Sequence, residues 1–88
     1  MKLNAIRKKI DRIDESIVSL LAKRFQMSMA IKEIKREKKL PTKDTIREKE
    51  VYHHISRLCD KHRITFTLIK KLYATILEES VSAQKNKI

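Results

Sequence analysis

The chain has 88 residues, with 22 Lys and Arg against 11 Asp and Glu for a formal net charge of +11, and no glycine. The absence of glycine excludes a P-loop, a dinucleotide fingerprint and a nucleophile elbow, each of which needs Gly to turn sharply or to bring backbone against a ligand, and it weighs against an all-β fold with many tight turns. A single cysteine, Cys59, excludes an intrachain disulfide and a multi-cysteine zinc site.

A hydrophobic fraction of 41% beside a charged fraction of 38% suits long amphipathic helices. A core drawn from so few residues is marginal alone, so self-association is expected. The cationic excess favours an anionic partner, whether nucleic acid, membrane or metabolite. The charged N-terminus has no apolar signal region and no apolar run approaches a membrane span, so the expected location is the cytoplasm, away from membranes.

Apolar residues at Leu3, Ile6, Ile10, Ile13, Ile17, Leu20, Met27, Ile31 and Ile34 step alternately by three and four. That is a heptad seam, and it predicts one helix from about residue 3 to 38, about 50 Å long. Two short helices cannot cover a rod of that length, which invites a second copy of the chain. Pro41 marks a loop over 39–43, and Thr42 or Asp44 can cap a second helix. That helix is expected over about 44–62, with Val51, Ile55 and Leu58 inward. After a break near 63–65, Thr65 or Thr67 can open a third helix to about 84, with Phe66, Ile69, Leu72, Tyr73, Ile76 and Leu77 inward. The tail 85–88 is expected to fray. The fold class is all-α, one domain over 1–88, with helices long, short and medium.

The informative residues are polar ones on apolar stripes. Arg24 occupies a seam position, where desolvation is costly unless an anion meets the guanidinium. Two partners remain open: a buried carboxylate that fixes register, or an anionic ligand. A neighbouring strip carries Arg7, Asp14, Leu21, Ser28 and Lys35. Arg24 and Lys35 are separated by about 16 Å of rise and could clasp a small dianion from both ends. Arg7 is about 25 Å from Arg24 on its own chain. In an antiparallel pair of first helices it would approach the Arg24–Lys35 stretch of the other chain, so a two-fold dimer would hold two shared sites. On the third helix, Ser80 and Gln84 extend an apolar stripe, either as ligand-facing groups or at an end that needs no core. Asp44, Arg47 and Glu48 open the second helix at i, i+3 and i+4, a spacing that local pairing and dipole compensation also explain.

Other candidates carry less. His53, His54 and His62 lack a metal-ligand spacing on one face, so no metal is expected. Cys59 reads as a small core residue. The basic tracts 7–9, 35–39 and 70–71 could touch phosphate, but no recognition motif accompanies them and two Tyr and two Phe offer little stacking, so no nucleic-acid partner is expected.

From about residue 3 to 84 the chain resembles the all-helical, type II class of chorismate mutase. The opening LNAIRKKIDRIDESIVSLLAKR is similar to that family's first-helix signature. Asp44-Thr45-Ile46-Arg47-Glu48 resembles its Asp-x-x-Arg-Glu motif, and Glu78-Glu79-Ser80-Val81-Ser82-Ala83-Gln84 its closing motif. The resemblance implies an intertwined antiparallel homodimer with interlocked long first helices, chorismate as substrate and no cofactor. It implies that Arg24, with Arg7 of the partner chain, binds the substrate carboxylates. Lys35 and Gln84 address the ether oxygen. Glu48, with the backbone at Asp44, takes the ring hydroxyl, and Arg47 and Ser80 complete the wall. The implied reaction, chorismate to prephenate, breaks a C–O bond as a C–C bond forms, with no proton exchanged with the enzyme. It needs orientation and a donor to the ether oxygen, and no base or nucleophile. Two alternatives stand beside it: a lyase of the same fold that eliminates pyruvate from isochorismate, and a basic helical nucleic-acid-binding dimer. A plain coiled-coil scaffold is a third, and it would tolerate Arg24→Leu.

Overall fold

A computed structural model of the chain describes residues 2–85, with side chains described over 2–82. It contains three helices and, among the described residues, no strand: α1 (Lys2–Glu37), α2 (Thr45–His62) and α3 (Phe66–Lys85). The ends lie within one or two residues of the bounds read from periodicity.

Each helix ends for a local reason. α1 stops where Lys39 enters the left-handed region at φ 55°. The Lys39 N–H then bonds the Arg36 carbonyl at 3.2 Å and the Leu40 N–H bonds the Lys35 carbonyl at 2.8 Å. These two bonds form a Schellman motif that satisfies the last carbonyls. Of the two cap candidates for α2, the cap is Asp44, whose Oδ1 accepts the Arg47 N–H at 3.0 Å. α2 closes on Arg63, again left-handed at φ 54° and ψ 47°, with the Ile64 N–H on the Cys59 carbonyl at 3.0 Å. With no glycine in the chain, two cationic residues occupy the positions where Gly is preferred, and each sits favourably at the negative end of a helix dipole. Thr65 precedes α3, and its carbonyl accepts the Ile69 N–H at 3.3 Å.

α3 packs on both other helices, while no Cα of α1 comes within 8 Å of a Cα of α2. The buried core is the α2 stripe Val51, Ile55 and Cys59, packed on Leu58, Phe66, Ile69, Tyr73 and Leu77. Cys59 is the small core residue its position suggested. Leu72 departs from the inward expectation: it is half exposed, as is Leu68 one turn earlier. The apolar arc of α3 is wider than α2 can cover, and these two leucines lie on the uncovered flank.

The molecule measures 56 × 30 × 16 Å, and its long dimension is α1. On that helix Leu3, Ile6, Ile10, Ile13, Ile17 and Leu20 are each 48% to 62% exposed. This regular apolar stripe runs along the first half of the helix without being covered by α2 or α3.

Candidate active site

The gap between α1 and α2, floored by α3, forms a cleft of about 450 Å³. Into it the three helices bring Arg24 and Lys35 from α1, Arg47 and Glu48 from α2, and Ser80 from α3, with the cap residue Asp44 at the rim. These residues are scattered over 56 positions of sequence, and a cleft of this size suits a small molecule.

Arg24 is half-buried in the middle of α1. Its Nη1 donates to Ser80 Oγ at 3.2 Å, and its Cζ stands 5.6 Å from the centroid of the Tyr73 ring, within cation–π range. Ser80 is itself buried and donates to the Ile76 carbonyl at 2.8 Å, which turns its oxygen toward the guanidinium. The ion pairs among the described residues are Arg36 with Glu33 and, at 3.5 Å, Arg47 with Glu50, both exposed. Arg24 is in neither. Of the two partners left open for it, a register-fixing carboxylate is absent among the described residues. A neutral hydroxyl and a ring face hold the side chain in place without neutralising it, and the rest of its donors remain for an anion.

Lys35 is half-buried two turns beyond Ser28, and its Nζ donates to the Thr42 carbonyl at 2.6 Å. That bond ties the ammonium to the loop that forms one wall of the cleft. At the opening of α2 both capping and local pairing occur, with Glu50 joining the Asp44, Arg47 and Glu48 cluster. Asp44 spends a carboxylate oxygen on the Arg47 N–H, and the Arg47 guanidinium turns outward to Glu50. Glu48, half-buried, lines the cleft. The cleft is thus lined by the cations Arg24 and Lys35, by Arg47 with its guanidinium on Glu50, and, beyond the capping Asp44, by one carboxylate.

Arg7 is exposed and does not line the cleft of its own chain, as its distance along α1 requires. Gln84 falls in the last turn of α3, and its side chain lies outside the described residues. The histidines at 53, 54 and 62 are exposed, and among the described residues no three His, Cys, Asp or Glu come together as metal ligands.

The polar reading of the sequence missed the apolar walls. Met27 and Ile31 from α1, Val51 from α2, and Leu77 and Val81 from α3 line the cleft. Their signal was available, since each is within one turn of a polar site residue on the same helix. The Thr42 carbonyl had no signal, because a backbone acceptor does not depend on the side chain that names the residue.

The sequence profile described as chorismate mutase type II matches residues 6–85. A chorismate mutase of Methanocaldococcus jannaschii is 37% identical over 84 residues, covering 96% of this chain and 85% of that protein. A bifunctional chorismate mutase/prephenate dehydratase of Buchnera aphidicola subsp. Baizongia pistaciae is 36% identical over 83 residues. The protein of the same description from Escherichia coli K12 is 30% identical over 83 residues. This chain spans 22% of the length of each of those two bifunctional proteins.

Proposed function

The chain belongs to the type II chorismate mutase family, and from that premise we propose how its cleft carries out the isomerisation of chorismate to prephenate in aromatic amino acid biosynthesis. The observation that supports the reading most is the convergence of Arg24, Lys35, Asp44, Arg47, Glu48 and Ser80 on one cleft with apolar walls. No solvated helix face or scaffold seam requires that convergence.

Arg24, steadied by Ser80 and Tyr73, takes one substrate carboxylate through its remaining donors. Arg7 of the partner subunit supplies the second fork. Two charged clamps on a flexible dianion select its folded, chair-like conformer, which lowers the barrier by orientation. Lys35 meets the ether oxygen from the loop side of the cleft, with Gln84 as the neighbouring donor. Negative charge grows on that oxygen as the C–O bond lengthens, so a fixed ammonium stabilises the transition state more than the ground state. Glu48 accepts from the ring hydroxyl, assisted by the backbone at Asp44, and Arg47 closes the wall. Val51, Ile31 and Leu77 exclude water beside these groups, which strengthens each electrostatic contact.

The functional unit is an antiparallel homodimer with interlocked first helices, working in the cytoplasm. Its support is the half-exposed apolar seam of α1 together with an Arg7 too far along the helix to reach its own cleft. No helix among the described residues is long and apolar enough to cross a membrane. The test is a direct assay that follows loss of chorismate absorbance and identifies prephenate as product. No prephenate, or faster release of pyruvate from isochorismate, would overturn the reading.

A further inference from the structure

Ser28 is the buried residue of α1 among those described, 6% exposed on a helix whose seam residues face solvent and whose Leu21 and Phe25 are only half-buried. A buried hydroxyl is a more informative departure than an exposed leucine. It lies four residues after Arg24 and seven before Lys35, about 6 Å and about 10 Å of rise along the same face, and it lines the same cleft. The two cations bracket it.

Its Oγ donates to the Arg24 carbonyl at 3.2 Å. That carbonyl already accepts the helix's own bond from the Ser28 N–H, so the hydroxyl bond is a second and dispensable one. Ser80 differs: its proton is held by Ile76 and its oxygen by Arg24. Ser28 therefore has a rotatable proton on a weak local acceptor, at the level of the cleft between Arg24, read above as a carboxylate clamp, and Lys35, read above as the donor to the ether oxygen.

We propose that Ser28 is a substrate-contacting residue: on binding, its O–H turns from the Arg24 carbonyl to an oxygen in the middle of the bound dianion. The inference rests on the mutase reading. The added hydrogen bond shortens as negative charge develops between the two cations, so its effect falls mainly on kcat. If Ser28 instead serves only as a small residue where α1 meets α3, alanine performs equally well.

The experiment compares the wild-type chain with Ser28→Ala and Ser28→Cys by steady-state chorismate kinetics and thermal melting. Ser28→Ala is expected to lower kcat/KM about three- to tenfold, chiefly through kcat. Its melting temperature should be unchanged or higher, because Ala is the better helix former. Ser28→Cys keeps the volume but donates weakly, and it is expected to lose activity as well. Unchanged kcat and KM in either variant would overturn the proposal while leaving the mutase reading intact. Absence of turnover in the wild-type chain would overturn the mutase reading, and this inference with it.

Discussion

Sharing of each site between two chains can be tested by complementation. Arg7→Ala and Arg24→Ala are prepared as separate proteins. In either homodimer both sites lack one carboxylate clamp. Loss of a charge-assisted group of this kind costs about 3–4 kcal/mol, on the order of 10²- to 10³-fold in kcat. The two proteins are then mixed in equal amounts and allowed to exchange subunits. Random pairing makes about half the dimers heterodimers. Within each heterodimer, one site draws Arg24 from one chain and Arg7 from the other, and both are intact. The second site has neither. One good site in two, in half the population, restores about a quarter of wild-type activity, from below about 1% in the separate proteins. The structural basis is the position of Arg7, outside the cleft of its own chain, on a helix whose seam residues from Leu3 to Leu20 stand 48% to 62% exposed. The assay is chorismate consumption before and after mixing, with exchange verified by native mass spectrometry. If exchange is complete and activity stays at the floor, shared sites are refuted. Full activity in Arg7→Ala alone would refute them as well.

Lys35→Ala is expected to lower kcat on the order of 10²- to 10³-fold with circular dichroism and sedimentation unchanged; near-wild-type turnover would remove Lys35 from the mechanism. Gln84→Glu is expected to lose on the order of tenfold or more at neutral pH, where a carboxylate repels the ether oxygen, and to recover as the pH falls toward the ordinary glutamate pKa of about 4.3, where the introduced carboxyl becomes protonated and can donate. A flat pH profile in that variant would argue against contact with the ether oxygen. Arg63→Gly relieves a left-handed residue at φ 54°; the net gain is about 0–0.5 kcal/mol after the entropy of glycine and the lost attraction of the cation to the helix dipole are counted. It is read as a higher urea midpoint with kcat unchanged, and a lower midpoint would refute the strain account.

Much of this architecture was legible because it is local. Helix formation, capping and termination depend on bonds three to five residues apart, and those partners are adjacent in sequence. Asp44 as cap and the stop after Glu37 follow from such short-range bonding. The α1 seam was equally legible, because a period of three and four puts side chains on one face whatever lies opposite. The motif residues were recognisable by their order, and the mutual spacing of Arg24 and Lys35 followed from helical rise alone.

Who meets whom across the helices was not legible. Arg24 had two open partners in sequence, a carboxylate or an anionic ligand. The carboxylate is absent among the described residues, and the side chain is held by a hydroxyl 56 residues away and the ring of Tyr73, neither of which the sequence pointed to. The Arg47 guanidinium pairs with Glu50, outside the cluster the sequence singled out, while its N–H goes to Asp44. Leu72 followed the inward pattern yet remained outside. These outcomes depend on where α3 crosses its neighbours and which arc of each helix it covers. A crossing is decided by packing over the whole surface of two helices, whereas periodicity describes one helix at a time. The sequence by itself determined the helices, their ends and the stripe each one presents. Only the tertiary arrangement decided that α3 touches both others while α1 and α2 stand apart, and that separation leaves space for a substrate between charges that the chain carries far from one another.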